Sequence, residues 1–199
     1  MKPLLIVYAT REGQTRRIAE HVAAEVRTRG RAAEVIDARD VRPSVELTKY
    51  SAVIVAASVH AGKHEREMVA FVRAHRHGLE RMPTAFLSVS LAESGAEDTG
   101  ASPDVRDRSR QEVQEAIDIF FQETGWHPDR VKPVAGALLY TQYNFIIRFV
   151  MKQISRKKGA TTDTSRDHEY TDWAALDRFV EELLHDVPVV QGGATADLA

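Results

Sequence analysis

Leu4-Leu5-Ile6-Val7-Tyr8-Ala9 runs without a break into Thr10-Arg11-Glu12-Gly13-Gln14-Thr15, and this stretch decides the fold. The apolar run reads as a strand over residues 3–9, buried on both faces as in parallel sheets. Ile18, Ala19, Val22, Ala23 and Val26 then share one face of a helix over residues 15–29, with Gly30 as its stop. A strand that turns sharply into a helix through hydroxyls and a glycine makes a phosphate cradle. Backbone N–H groups at the helix start lack partners and carry partial positive charge. Thr10 and Thr15 add hydroxyl donors, and Gly13 can take a left-handed backbone angle. No lysine follows the glycine, as a P-loop requires, and a single glycine does not make the G-x-G-x-x-G dinucleotide fingerprint. The bland alternative is an ordinary strand–helix turn capped by threonine.

Outward from this stretch, strands and helices alternate. Residues 33–37 and 52–57 read as the second and third strands, 65–77 as a helix, and 84–89 as the fourth strand. A polar loop from Ser90 to Pro103 precedes the clearest helix, residues 104–123, with Val113, Ala116, Ile117, Phe120 and Phe121 at helical spacing. The fifth strand covers 133–140, and the last helix starts near Thr171 or Asp172. Alternation of this kind predicts an α/β fold with a doubly wound, five-stranded parallel sheet. T-x-x-G-x-T resembles the FMN-phosphate loop of flavodoxins, which implies the flavodoxin-like strand order 2-1-3-4-5. Ligands then sit at the carboxyl ends of the strands, beside strand one, among loops 10–15, 58–64 and 90–100.

The cofactor residues expected on this basis are Thr10, Arg11, Glu12, Gly13, Gln14 and Thr15 for the phosphate. Ser58, Val59, His60, Gly62, Ser90 and Leu91 are expected around the ring. His60 and His64 are spaced for a metal, but the chain has no cysteine and offers no clear third ligand. They are expected to line the pocket or lie on the surface. His60 beside a flavin could polarise N1–C2=O or bind a substrate carboxylate. Neither ring-side loop carries Trp, Tyr or Phe, so one flavin face is open for substrate or is covered by aliphatic residues such as Leu91.

The chain's 199 residues suit one domain, here 1–187 with a disordered tail at 188–199. Hydrophobic content of 43% supports a packed core, and a net charge of -2 argues against a nucleic-acid binder. The absence of cysteine excludes disulfides, thiolate catalysis and iron–sulfur clusters. The start lacks the pattern of a signal peptide, and no run reaches the ~18 apolar residues of a membrane span, so the cytoplasm is the expected compartment.

An insert of about thirty residues, 140–170, separates strand five from the last helix. Within it, residues 145–158 read as a helix with Arg148, Lys152 and Arg156 in one stripe and apolar residues over most of the rest. No Asp or Glu occurs from Val131 through Thr162. Such a helix suits a membrane interface, apolar side down and basic groups toward anionic headgroups. Packing against its own domain or another subunit is the equal alternative, which leaves homo-oligomerisation open.

Longer motifs carry a more specific resemblance: Tyr8 to Thr15, Ala57-Ser58, Met82 to Phe86, Trp126 to Arg130, Ala135 to Tyr140, Thr161 to Thr164, and Tyr170 to Trp173. Over about residues 3–185 the chain resembles the flavodoxin-like, menaquinone-dependent protoporphyrinogen oxidases of the HemG type. The resemblance implies FMN, and oxidation of protoporphyrinogen IX to protoporphyrin IX in haem biosynthesis. It also implies a membrane quinone, menaquinone or ubiquinone, as acceptor, and a peripheral position on the inner face of the cell membrane. Arg148, Lys152 or Arg156 would then hold substrate carboxylates or meet the membrane. Ala61 stands where the family leads one to expect an aromatic residue, and residues 92–104 hold more acids and glycines. The competing readings are an electron-transfer flavodoxin, a flavodoxin-fold NAD(P)H:quinone reductase, and a membrane-docking module without flavin.

Overall fold

The computed structural model describes residues 1–41, 45–138 and 168–187. The insert helix expected at 145–158, with Arg148, Lys152 and Arg156, and the tail at 188–199 lie outside the described residues. The main sheet takes strands β1 (Leu4–Ala9), β2 (Ala33–Asp37), β3 (Ala52–His60), β5 (Thr84–Ser90) and β6 (Arg130–Ala135) in the order β2-β1-β3-β5-β6, all parallel. This is the expected order 2-1-3-4-5, with β4 (Lys63–His64) added as an antiparallel arm of β3.

Strand β1 is buried from end to end because its alternating side chains enter two separate cores. Leu4, Ile6 and Tyr8 join Ile18 and Val22 of α1 (Gln14–Thr28) and Leu176, Val180 and Leu183 of α5 (Trp173–Asp186). Leu5, Val7 and Ala9 join Met68 and Val72 of α2 (Arg66–Leu79) and Ile117 and Phe120 of α4 (Pro103–Thr124). Each buried Leu, Ile or Val contributes ~1.5–3 kcal/mol, so the central strand is anchored from both sides.

Three local expectations change. The segment 90–103 is not all loop: Ser90 caps a helix, α3 (Leu91–Glu97), its hydroxyl accepting from the Glu93 N–H at 3.2 Å. Seven residues are too few for helical periodicity to be visible. The last strand of the main sheet starts at Arg130, three residues early: an edge strand tolerates Arg130 and Lys132, and Arg130 pairs with Asp186 and Glu182 of α5. It ends at Ala135, after which β7 (Ala137–Leu138) leaves the sheet and pairs antiparallel with β8 (His168–Glu169). The expected loop 58–64 is a hairpin, His60 pairing with Lys63 across Ala61 and Gly62, both with positive φ of 50° and 78°. Positive angles at both turn positions define a type I′ turn, whose twist matches the strands.

His64 is not on the surface. It is buried between the rings of Phe86 and Phe120, with Nε2 2.9 Å from Ser88 Oγ. Burial drives its pKa down to about 4. The native protein therefore holds this imidazole neutral, and the unfolded chain binds the extra proton between the two pKa values. That contribution is complete above about pH 6.5 and is lost as the pH falls toward 4. Between pH 7.5 and 5, urea unfolding of the parent should lose roughly 2 kcal/mol more than unfolding of His64→Gln. Equal losses in the two proteins would show that His64 is not held neutral.

Candidate functional site

From β1 the chain first fills the sheet outward to β2, then returns to the other side of β1 and continues outward from β3. The helices after β1 and β3 therefore leave on opposite faces of the sheet, and the crevice of such folds lies at the carboxyl edge beside their loops. On the β1 side, Gly13 takes φ 96° and starts α1 with no side chain capping it. The Gly13 N–H donates to Thr10 Oγ1 at 3.0 Å, which tightens the loop. Thr15 is fully buried in the first turn of α1, and its hydroxyl has no hydrogen-bond partner among the described residues. An orphaned buried hydroxyl costs ~1–3 kcal/mol, and here it stands beside unpartnered helix amides at a positive helix end.

Where the loop after β1 meets the hairpin after β3 stands a cluster organised by Glu65, just ahead of α2. Its buried carboxylate accepts from Ser58 Oγ at 3.3 Å through Oε1 and from Arg11 Nη2 at 3.3 Å through Oε2. The Glu65 N–H donates to the Ser58 carbonyl at 3.2 Å. His60 Nε2 is shielded from solvent, 3.0 Å from Glu12 Oε2 and 3.3 Å from Glu65 Oε1, although out of line for a hydrogen bond. Arg11, Glu12, Ser58 and His60 are thus brought together as expected. Glu65 was not anticipated. An acid at a helix start ordinarily signals only interaction with the helix dipole, and nothing local shows that this one turns back toward β1.

Other expected residues have side chains engaged elsewhere. The buried Gln14 donates through Nε2 to Glu169 Oε1 at 2.8 Å and to Thr171 Oγ1 at 3.0 Å, and accepts from Arg17 Nη1 at 3.2 Å. Thr171 in turn donates to the Ala135 carbonyl at 2.7 Å, and Tyr170 N–H donates to the Gly136 carbonyl at 3.1 Å. Gln14 therefore ties the start of α1 to the segment that returns after the insert. Ser90 spends its hydroxyl capping α3, Leu91 is the half-buried first residue of that helix, and Val59 pairs with His64 in the hairpin.

Charges at the rim are tuned by burial and by neighbours. Hydrogen bonds from Arg39 hold the Asp37 carboxyl below the usual carboxylate range. Burial, and then the charge of Asp37, push the Tyr8 phenol up. On α3, burial raises both Glu93 and Glu97; the charge of Glu97 adds to the effect on Glu93, and Lys132 opposes it on both. No group of three or more His, Cys, Asp or Glu suited to a metal occurs among the described residues. No helix among them is long and apolar enough to cross a membrane.

Comparison with known proteins places the chain among flavoproteins. The flavodoxin domain family matches residues 5–165. Protoporphyrinogen IX dehydrogenase [quinone] of Escherichia coli (strain K12) is 33% identical over 181 residues, which cover 91% of this chain and 94% of that protein. The protein of the same name from Leishmania major is 31% identical over 180 residues, 90% of this chain and 73% of the other. Oxidised flavodoxin 1 from Bacillus cereus superposes with a TM-score of 0.52 at 17% identity, covering 94% of this chain and 99% of that one, a likeness of fold.

The Gln14 bridge makes a prediction of its own. Gln14→Ala removes both bonds to the returning segment and should lower stability by ~1–2 kcal/mol. It should also speed hydrogen exchange at the Tyr170 amide. Unchanged protection at Tyr170 would mean that the bridge contributes no energy.

Proposed function

The chain belongs to the flavodoxin domain family, and on that footing we propose that it binds FMN and oxidises protoporphyrinogen IX to protoporphyrin IX with a membrane quinone as electron acceptor. The observation that carries this reading is the 33% identity sustained over 91% of the chain with a protein named for that dehydrogenation. Bound FMN supplies a hydride acceptor; the protein supplies position and field.

The residues present fit the cofactor. The uncapped start of α1 offers backbone N–H groups to a phosphate, and Gly13 keeps their approach open, with nothing within 4 Å of the place a Cβ would take. The orphaned hydroxyl of Thr15 gains the acceptor it lacks. Thr10, Arg11 and Glu12 frame the loop, and Gln14 contributes its backbone while its side chain braces α1. On the ring side, the hairpin Ser58 to Gly62 forms one wall, and Ser90 and Leu91 at the head of α3 form another. In the sequence, Arg148, Lys152 and Arg156 supply positive charge for the substrate propionates or for anionic lipid at the inner face of the cell membrane.

Thr15→Ala removes a charge-assisted phosphate bond, and FMN affinity should fall about tenfold or more. Unchanged affinity in both Thr15→Ala and Gly13→Val would move the cradle elsewhere. The reaction is tested with oxygen excluded: porphyrin fluorescence should appear from protoporphyrinogen IX only when quinone is added. A Gly/Ser linker in place of residues 141–167 should keep the yellow colour and lose this turnover. Rapid oxidation of NADPH without porphyrin formation would replace the reading with a quinone reductase. Membrane contact predicts cosedimentation with anionic vesicles that weakens with salt. Salt-insensitive binding, or none, would assign the basic block to another task.

A further inference from the structure

We propose that His60 is the proton acceptor of this site, oriented for that role by the carboxylates of Glu12 and Glu65. The assignment rests on the reading above for its substrate and on the crevice geometry for its residue. Nε2 of His60 is shielded and faces both carboxylates, Glu12 Oε2 at 3.0 Å and Glu65 Oε1 at 3.3 Å. Two anionic oxygens favour a proton on the nitrogen that faces them, which leaves the lone pair on Nδ1. The side chain is 28% exposed, so part of the ring meets solvent rather than the core. Its backbone is held by the hairpin pairing of His60 with Lys63.

Two carboxylates, Glu12 and Glu65, stand beside this ring, and Arg11 pairs with the second of them. Lys63 is paired with Glu123 of α4 at 2.8 Å, and His64 is enclosed between phenyl rings. Glu65 is immobilised by Ser58 and Arg11 and cannot turn away from the imidazole.

The reaction needs such a group. Protoporphyrinogen becomes protoporphyrin by losing six hydrogens, as three hydride equivalents and three protons. In each round one meso C–H bond would break, with bound FMN supplying the acceptor for its hydride and the quinone the final acceptor for the electron pair, becoming quinol with two protons. A second hydrogen leaves as a proton from a ring nitrogen or a meso carbon. The N–H bond that forms is at Nδ1 of His60, and the proton then passes to solvent. Substrate carbon is oxidised and quinone is reduced, three equivalents for each porphyrin.

Two measurements test this. In stopped-flow reduction of the bound flavin by protoporphyrinogen under anaerobic conditions, His60→Gln should be slower by ~10²-fold or more. Added imidazole should restore part of the rate in that variant. Independently of flavin and substrate, the ¹⁵N spectrum of His60 should report the Nε2–H tautomer in the parent and a mixture in Glu12→Gln and Glu65→Gln. The proposal is overturned if His60→Gln reduces the flavin at the parent's rate, if imidazole restores none of the lost rate, or if the tautomer does not respond to either carboxylate. A parent flavin that protoporphyrinogen does not reduce at all refutes the substrate reading, and the tautomer measurement then upholds or overturns the arrangement of His60, Glu12 and Glu65 by itself.

Discussion

Strand β1 is sealed on all sides but one: β2 and β3 take its two edges, and the two cores take its two faces. This strand gives way to exposed backbone at Thr10, where α1 departs with the helices of one face; α2 departs after β3 with those of the other. The crevice is therefore a product of burial, and the residues that furnish it have little say in where it lies. A substitution that loosened β1 would displace every wall of the site at once.

Within the crevice, Glu65 is the point at which the two sides meet. A buried carboxylate is unfavourable unless hydrogen-bonded and balanced by positive charge. Ser58 supplies a bond from β3, Arg11 supplies a bond and a charge from the loop after β1, and the start of α2 adds the favourable end of its dipole. The three elements are held in register by one side chain. The loop after β1 and the hairpin that faces it consequently behave as one wall rather than two.

What the sequence made legible was contiguous. The apolar run 4–9, the turn through Gly13 and the helix after it announced themselves because strand, loop and helix are neighbours along the chain. Features built from distant partners were not legible. Arg11 meets Glu65 across 54 positions, and Gln14 meets Glu169 across 155. Neither pairing leaves a trace in local periodicity. Helix α3 escaped because it is too short to repeat, and the hairpin at Ala61-Gly62 because its first turn position is alanine, which seldom adopts a left-handed angle. Thr10, Arg11, Glu12, Ser58 and His60 are singled out in the sequence by their position after two strands. Their mutual arrangement depends on Glu65, which no pattern singles out.

The pairing of Ala137 and Leu138 with Glu169 and His168, reinforced by Tyr170 on Gly136, brings the two ends of residues 139–167 together at one spot beside α1. A segment whose ends are already joined by the fold meets a weak constraint on its length, because loop-closure entropy grows only logarithmically and a doubling costs ~0.6 kcal/mol. Residues can be gained, lost or exchanged between those two short strands with little effect on the stability of the sheet.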